Sequence, residues 1–568
     1  MSFFILLNSA QTIQIISSIL ITAASLLTLF LLWLNRRIFF DLFKNISWHS
    51  GALLLLLIIT FSLLSAFAGF NFKSFIPSDQ EWEILEQAKE LVLGKQIFTH
   101  LRYGLFYPLL LSFGFQLFGF NPLVASIMTF VFGTLSILLV FALSQAVFKN
   151  DKVGLLSSSI YAFTPLVFVF TSLQMGFPAV ATFFLLSFLL TTILYFQHHK
   201  TSLLALSLLL LALTSQIKPE YFILIIPFGI CFFLFKEYKK ISIPILLGLM
   251  VIFLIFSIPY FIKNAQLKEG FKNGWCGAPS QIFYNGEAHS YNSYNLPLTK
   301  YLDPVLKFLA NDRFSINYFI YDVPNFVKFW TFRSFTFISI LILVGIIFSF
   351  KKYPKESIFL LLVFFSISFL YMADCAFYET RYAIPTYGLV VIFAGFGLNF
   401  VAEKITQFTK KQYPFKTTLL ITIFLSLCAY WYFNDYRPCL FKGFYRDYMF
   451  DNRSAIDDYG RLNDILKDIS PENSYFFVPQ ANEEKILRFL GYKAISIGNI
   501  EAFHQLDKTD FTTAKLPLGV MKNNYFIKSW YCSTLIELKT LCEFVKENYE
   551  LKLIKQTNYD SLYFINEH

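Results

Sequence analysis

Charge is what this sequence has least of. Only 15% of its 568 residues are Asp, Glu, Lys or Arg, where water-soluble domains carry about 25%. Hydrophobic residues make up 56% and the mean hydropathy is +0.55. A single soluble globule is excluded on that ground. Disorder is excluded too, because so apolar a chain collapses or inserts. The seven cysteines are scattered, with no CxxC pair and no zinc spacing. Cys532 and Cys542 would pair if their segment is extracytoplasmic, but free thiols are the default expectation. Phosphate-cradling loops are absent: GxGxxG, GKS and GKT do not occur. No cation precedes Arg36, so the first apolar run lacks the basic flank of a signal peptide and reads as a retained span. No repeat or low-complexity tract is present.

What the chain does have is long apolar runs. They lie near 10–34, 48–70, 122–148, 153–171, 178–196, 201–216, 221–235, 241–261, 334–350, 357–373, 386–402 and 417–433. Several approach the roughly 20 residues a helix needs to cross a bilayer. The stretch 105–119 is apolar but short, and reads as an interfacial segment. The expectation is an α-helical polytopic membrane protein of about 11–13 spans.

The net charge of +10 has an address. One alternate set of short loops carries Arg36, Arg37 and Lys44, then Lys149 and Lys152, Lys200, Lys236, Lys239 and Lys240, Lys351, Lys352 and Lys355, and finally Lys404, Lys410, Lys411 and Lys416. The positive-inside rule makes that set cytoplasmic. Both termini then lie outside, with a loop at 71–121, a longer loop at 262–333 and the tail from about 434. The basic excess therefore records orientation, not a nucleic-acid partner. Three regions are expected. They are an extra N-terminal span and cytoplasmic loop at 1–47, a membrane module at 48–433, and an extracytoplasmic α/β domain at 434–568. In that tail Tyr475–Val478, Leu551–Lys555 and Leu562–Ile565 read as strands, and Glu483–Leu490 as a helix.

The first outer loop carries the clearest punctuation. In SDQEWEILEQAKELVLGK (78–95), Ser78 is a good N-cap, Glu81 completes a capping box and Gly94 is a good stop. Asp79, Glu83, Glu86 and Glu90 form one acidic stripe at helical spacing, beside an apolar stripe of Trp82, Leu85, Ala88 and Val92. Such a helix would lie on the membrane surface with Trp82 at the interface. Glu83 and Glu90 read as a solvated face. Asp79 differs, because it starts the helix beside the end of a span, where it would face a cavity at the boundary.

The order of these residues resembles the GT-C glycosyltransferases, and is most similar to the family 22 mannosyltransferases. Asp79, Trp82, Glu83, Glu86, Ala88 and Gly94 fall at the intervals of that family's first lumenal loop. Gln80 replaces the usual second acid, which leaves Asp79 as the one candidate base. LRYGLFYPLLL (101–111) resembles a further family stretch through Arg102 and Pro108. FYETRYAIPTYG (377–388) matches a late outer-loop pattern through Glu379, Arg381, Tyr382 and Pro385, with Phe377 and Tyr378 where His and Lys are usual. The protein O-mannosyltransferases and lipid A aminoarabinose transferases have a similar Arg-Tyr-x-x-Pro stretch. IKPEY (217–221) is a weaker match. Together these span roughly residues 48–400.

The resemblance implies an inverting transfer from a polyprenyl-phosphate sugar to a glycan, lipid or protein acceptor on the outer face of a membrane, such as a bacterial inner membrane. It suggests mannose as the sugar. Departure of the phosphate needs fixed cations, for which Arg381, Lys218 and Arg102 are the candidates. Lys218 and Arg102 also suit snorkelling to headgroups, and Arg381 with Glu379 suits a structural ion pair. Asp79 would take the acceptor proton, with Glu86, Glu379 and Tyr382 in support. No cofactor or metal is indicated. His198-His199 reads as a loop pair, and His100 and His289 are lone. Gln174 stands where related enzymes often carry an acid, and Trp275, Tyr291 and Tyr294 suit sugar stacking or interface anchoring equally. A flippase would show intramembrane charges or broken helices in paired halves. A polymerase would show an Arg-rich long loop, whereas 262–333 holds only Arg313 and Arg333.

Overall fold

The computed structural model describes residues 10–44, 46–71, 79–95, 97, 104–164, 167, 177–270, 282–284, 287–289, 336–372, 380–408, 458–479, 481–497, 516, 518, 523–529, 532, 536–557 and 560–567. The apolar runs become helices because lipid offers no partner for backbone N–H and C=O groups, so each segment must satisfy its own. In chain order they are α1 (Ala10–Leu34), α2 (Arg36–Lys44), α3 (Trp48–Asn71), α4 (Asp79–Val92), α5 (Phe106–Phe118), α6 (Leu123–Phe148), α7 (Asp151–Phe163), α8 (Phe177–His198), α9 (Thr201–Ile217), α10 (Ile225–Leu234), α11 (Ile243–Gly270), α12 (Thr336–Lys352), α13 (Pro354–Met372) and α14 (Thr380–Phe408). A 3-10 turn, Pro219–Leu224, joins α9 to α10. A short antiparallel hairpin, β1 (Ile282–Tyr284) with β2 (Glu287–His289), lies between α11 and α12.

Among the described residues six helices are long and apolar enough to cross a membrane: Gln14–Leu34, Trp48–Ser65, Leu123–Phe148, Pro178–His198, Pro354–Tyr371 and Pro385–Lys404. Four shorter apolar helices accompany them. The chain is an integral, multi-pass membrane protein. Helix α5 has 13 residues, about 20 Å of helix, too short for a hydrocarbon core of roughly 30 Å. The expected span at 417–433 lies outside the described residues.

Helix α8 is the centre of the bundle. Burial covers 89% of Pro178–His198 but only 28% of Gln14–Leu34, so α1 sits at the rim. Helix α8 packs on α6, α9 and α14, and α12 crosses α14. That last crossing uses absent side chains. A Cβ on Gly345 would stand 1.9 Å from the Phe393 carbonyl oxygen, and one on Gly397 2.2 Å from that of Leu341. Close backbone approach of this kind supplies the van der Waals contact that drives helix association in lipid.

One end of the bundle is tied by polar side chains. Tyr353 Oη donates to the Phe148 carbonyl (2.9 Å) and Ser47 Oγ to Asp151 Oδ2 (2.9 Å). His199 is more than a loop residue: its Nδ1 lies 2.9 Å from Oε2 of buried Glu237, whose Oε1 accepts from Lys240 Nζ at 2.8 Å.

The opposite end carries an α/β domain. Its elements are α15 (Asp458–Leu466), β3 (Ser474–Val478), α16 (Ala481–Leu490), β4 (Lys493–Ser496), β5 (Asn523–Lys528), α17 (Ile536–Asn548), β6 (Tyr549–Gln556) and β7 (Ser561–Glu567). The strand order is β4-β3-β5-β7-β6, parallel among the first three and antiparallel at the β7 side. Alternation sends Phe476, Val478 and Ile527 to one face, where the core is continuous with the bundle. Phe477 and Phe526 face a second core with Val545 of α17. Cys532 and Cys542 are joined in a disulfide with Cα atoms 5.8 Å apart, against the expectation of free thiols. Both are buried in the second core, which brings together positions ten residues apart. Buried Arg461 meets Glu483 (Nη2 to Oε1, 2.8 Å) and Asp560.

Candidate active site

Of the residues marked by sequence, those that are described, in α4, at Lys218 and in the first turn of α14, lie at the end of the bundle that carries the α/β domain. Helix α4 begins at Asp79, directly after the Ser78 position read as its cap, and stops at Gly94, which takes φ +70°. The stop is a Schellman turn. Gly94 N–H donates to the Leu91 carbonyl (3.1 Å) and Lys95 N–H to that of Glu90 (2.9 Å).

The apolar stripe of α4 is not laid on the membrane surface. Leu85 and Ala88, with neighbouring Ile84, are buried, and α4 packs on α5 and on α16 of the α/β domain. Lys89 Nζ donates to the Phe489 carbonyl and stands 5.3 Å from the Phe489 ring and 5.5 Å from that of Phe120. Burial, then the charge of Lys95, holds the Lys89 amine below its ordinary range. Glu86 is half-buried on this helix.

Lys218 is the best-defined member of the set. It follows α9 and is 2% exposed, so it does not snorkel. Its ammonium sits 4.3 Å from the centroid of the Tyr371 ring, and Tyr371 Oη donates to Tyr221 Oη at 3.1 Å. A desolvated cation over an aromatic face gains about 2 kcal/mol. The Lys218 backbone is fixed as well: its N–H donates to the Thr214 carbonyl (3.1 Å) and its own carbonyl accepts from Tyr221 N–H (3.0 Å).

Gly104, two residues past Arg102, is pressed against the same spot. Its N–H donates to the Ile217 carbonyl at 3.3 Å, and a Cβ there would lie 1.7 Å from the Gln216 carbonyl oxygen. No other residue fits. Arg381 and Tyr382 are the second and third residues of α14, one turn before the internal Pro385. Further along, Tyr387 Oη is 2.8 Å from Thr164 Oγ1 at the end of α7, which ties α14 to the bundle.

Arg102, Glu379, Gln174, His100, Trp275, Tyr291 and Tyr294 lie outside the described residues, as do the side chains of Asp79, Trp82, Glu83, His289, Arg381 and Tyr382. Among the described residues no group of three or more His, Cys, Asp or Glu is placed to hold a metal ion. Tyr371, Tyr221 and Gly104 were not singled out by sequence. Tyr221 and Gly104 stand inside the quoted segments IKPEY and LRYGLFYP, and Tyr371 ends a span, so their signal was position.

Two clefts accompany this arrangement. An apolar one of about 450 Å³ runs between α1, α2, α5, α6, α8 and α9, lined by Thr28, Phe39, Phe106, Phe132, Phe184 and Leu213. Its Leu213 and Phe106 walls lie about a turn below Ile217 and just beyond Gly104 in the chain. A larger one of about 720 Å³ lies at the opposite end, lined by Asp41, Lys149, Asp151 and His198 among others. Several of its polar groups already serve the fold. Asp151 accepts from Ser47, and Gln197 donates to the Ala146 carbonyl (2.7 Å).

The bundle, the short helices at its α/β end and the following small domain make this the GT-C fold. The family model described as dolichyl-phosphate-mannose-protein mannosyltransferase matches residues 103–262, a stretch that includes Gly104 and Lys218. The structure is similar to ArnT from Cupriavidus metallidurans bound to undecaprenyl phosphate, with a TM-score of 0.52 at 10% identity, covering 90% of this chain and 97% of that one. It is also similar to the Archaeoglobus fulgidus oligosaccharyltransferase in the apo form, with a TM-score of 0.53 at 12% identity, covering 91% of this chain and 75% of that one. No curated protein matches the sequence.

Proposed function

We propose that the protein is an inverting glycosyltransferase that moves a sugar from a polyprenyl-phosphate donor to a glycan, lipid or protein acceptor on the extracytoplasmic side of a membrane. The observation that carries this reading is Lys218, a lysine 2% exposed at the C-terminal end of the apolar helix α9. Burying a cation at membrane depth is costly, and such residues mark a polar ligand or pathway. Fold likeness to a protein solved with undecaprenyl phosphate supports a lipid phosphate as that ligand.

In this mechanism Lys218, Arg381 and Arg102 hold the departing phosphate. Arg381 adds a planar fork suited to phosphate oxygens, and its place in the first turn of α14 adds the positive end of the helix dipole. Asp79 takes the proton of the acceptor hydroxyl as that oxygen attacks the sugar C1. The C1–O bond to phosphate breaks in the same displacement, and no sugar–enzyme bond forms. Glu86, Glu379 and Tyr382 support the sugar and the phosphate-binding groups. The apolar cleft below Lys218 suits the isoprenoid tail, because its lining is almost wholly hydrocarbon and aromatic.

Mannose is the sugar we favour, on the family stretch at 103–262. The extracytoplasmic side follows from the loop charges, and the Cys532–Cys542 disulfide agrees with an oxidising compartment. A bacterial inner membrane would satisfy both. Purified protein with defined polyprenyl-phosphate sugars tests the proposal. Transfer by the wild type is expected, and Asp79→Asn should lower it at least about 100-fold with insertion and thermal stability retained. Unchanged turnover in Asp79→Asn would remove the base, and no transfer with any donor would remove the activity.

A further inference from the structure

Helices α1 and α2 precede the residues that carry the family resemblance, yet they complete a site in the bundle. The apolar cleft of about 450 Å³ has walls from α5, α6, α8 and α9, and from Ser25, Leu29 and Leu32 of α1. Helix α1 is fixed along it at both ends. Gln14 Nε2 donates to the Lys95 carbonyl (3.0 Å) toward the α/β domain, and Asn35 Oδ1 accepts from Ser202 Oγ (2.8 Å) at the opposite end.

The cleft has a floor and a mouth. Phe39 and Phe43 of α2 close the end away from the α/β domain, and the Phe43 ring stacks on that of Phe141 with centroids 6.2 Å apart. Ile38, Asp41 and Leu42 of the same helix line the polar cleft, so α2 is the partition between the two. At the mouth, Leu213 lies one turn before Ile217, whose carbonyl accepts from Gly104 N–H, and Phe106 soon follows Gly104. The cleft thus begins beside the backbone that leads into Lys218. On α6 its lining runs from Phe132 to Ala142, about 15 Å of helix and half of a hydrocarbon core of roughly 30 Å.

Elsewhere the bundle closes to backbone contact, as at Gly345, because packing is what drives helices together in lipid. Helices that stand apart around a hydrocarbon-lined cleft gain those contacts from a chain that enters it. We infer that the first few isoprene units of the donor lie in this cleft, with α1 as its wall and α2 as its floor. The inference rests on the donor reading above and adds which part of the tail the protein reads. A cleft of half the membrane's depth takes the units nearest the phosphate, and the rest of the chain stays in the bilayer. A phospholipid acyl chain is the rival occupant.

The test uses the full chain in phospholipid nanodiscs with undecaprenyl phosphate as probe. Photoreactive benzoylphenylalanine in place of Leu32, inside the cleft, should capture the probe, read by intact mass. The same group in place of Leu26, 62% exposed on the flank of α1, should capture only phospholipid. Ser25→Phe puts a ring into the cleft from the rim helix and should weaken probe binding about tenfold. That variant's affinity for dimethylallyl phosphate, whose single isoprene unit stops at the mouth, should stay at the wild-type value. Leu135→Phe, on the exposed face of α6, should alter neither.

Capture of phospholipid alone at Leu32 would overturn the inference. So would wild-type affinity for the probe in Ser25→Phe, or an equal loss of both phosphates in that variant. A wild-type chain that binds neither phosphate would overturn the donor reading itself, and this inference with it.

Discussion

The bundle and the α/β domain are held together by different means. In the bundle, backbones close on one another through missing atoms: Gly345 against the Phe393 backbone, Gly397 against Leu341 and, before α5, Gly104 against Gln216. In the domain, buried charges and a covalent bond do comparable work: Arg461 with Glu483 and Asp560, and Cys532 with Cys542. The difference follows from solvent. Lipid is as apolar as leucine, so burying more hydrocarbon gains little there and close packing decides. A small domain in water has limited core to bury and gains from cross-links. The bundle should therefore fail through added volume, and the domain through lost partners.

Gly345→Leu is the largest expected effect. Its Cβ alone would stand 1.9 Å from a carbonyl oxygen, so α12 and α14 must separate and the protein should lose its monodisperse form in detergent. An unchanged elution profile and melting point would show that the crossing does not depend on small residues. Arg461→Met comes next. It strands two buried carboxylates, and breaking a buried ion pair from one side costs about 3–5 kcal/mol. Proteolysis should open the domain first while α6, α8 and α9 stay protected. Loss of both regions together would mean that they fold as one unit. Cys532→Ser with Cys542→Ser should cost about 2–4 kcal/mol, read as a lower melting point confined to domain signals. Reductant applied to the wild type should reproduce it.

How much of this was legible in the sequence follows the same divide. Spans in the bundle were readable because lipid imposes one rule on every residue of a run, and α1, α3, α6, α8, α13 and α14 stand where the apolar runs are. In the domain, Ser474–Val478, Ala481–Leu490 and the two last strands were readable. The four-residue β4 and the strand Asn523–Lys528 were not, because short runs without long alternation carry little period. The Cys532–Cys542 bond was open to sequence only as a conditional on location. At the candidate site Lys218 was named from IKPEY, but its burial under Tyr371 was not, since the two residues are 153 positions apart. Helix α4 was readable in its bounds and misjudged in its surroundings. Nothing in 78–95 reveals that its apolar stripe is covered by α16, some 400 residues later.

That covered stripe is where the two regions meet, and it gives the smallest and most specific prediction. Burial and Lys95 hold the folded-state pKa of Lys89 below the ordinary 10.5, with Glu86 and Glu90 pulling the other way. Between the folded value and 10.5 the undocked state binds more proton than the docked one, so docking strengthens as pH rises through that window. Below the folded value the cost of burying the charge is constant. The bond to the Phe489 carbonyl survives deprotonation, because a neutral amine still donates. Screening at this half-exposed site keeps the effect below about 1 kcal/mol. Exchange at the α4–α16 contact should therefore slow slightly from neutral to alkaline pH in the wild type, after correction for intrinsic rates, and stay flat in Lys89→Met. A slope of equal size in both would place the pH response elsewhere and leave Lys89 a neutral part of the joint between bundle and domain.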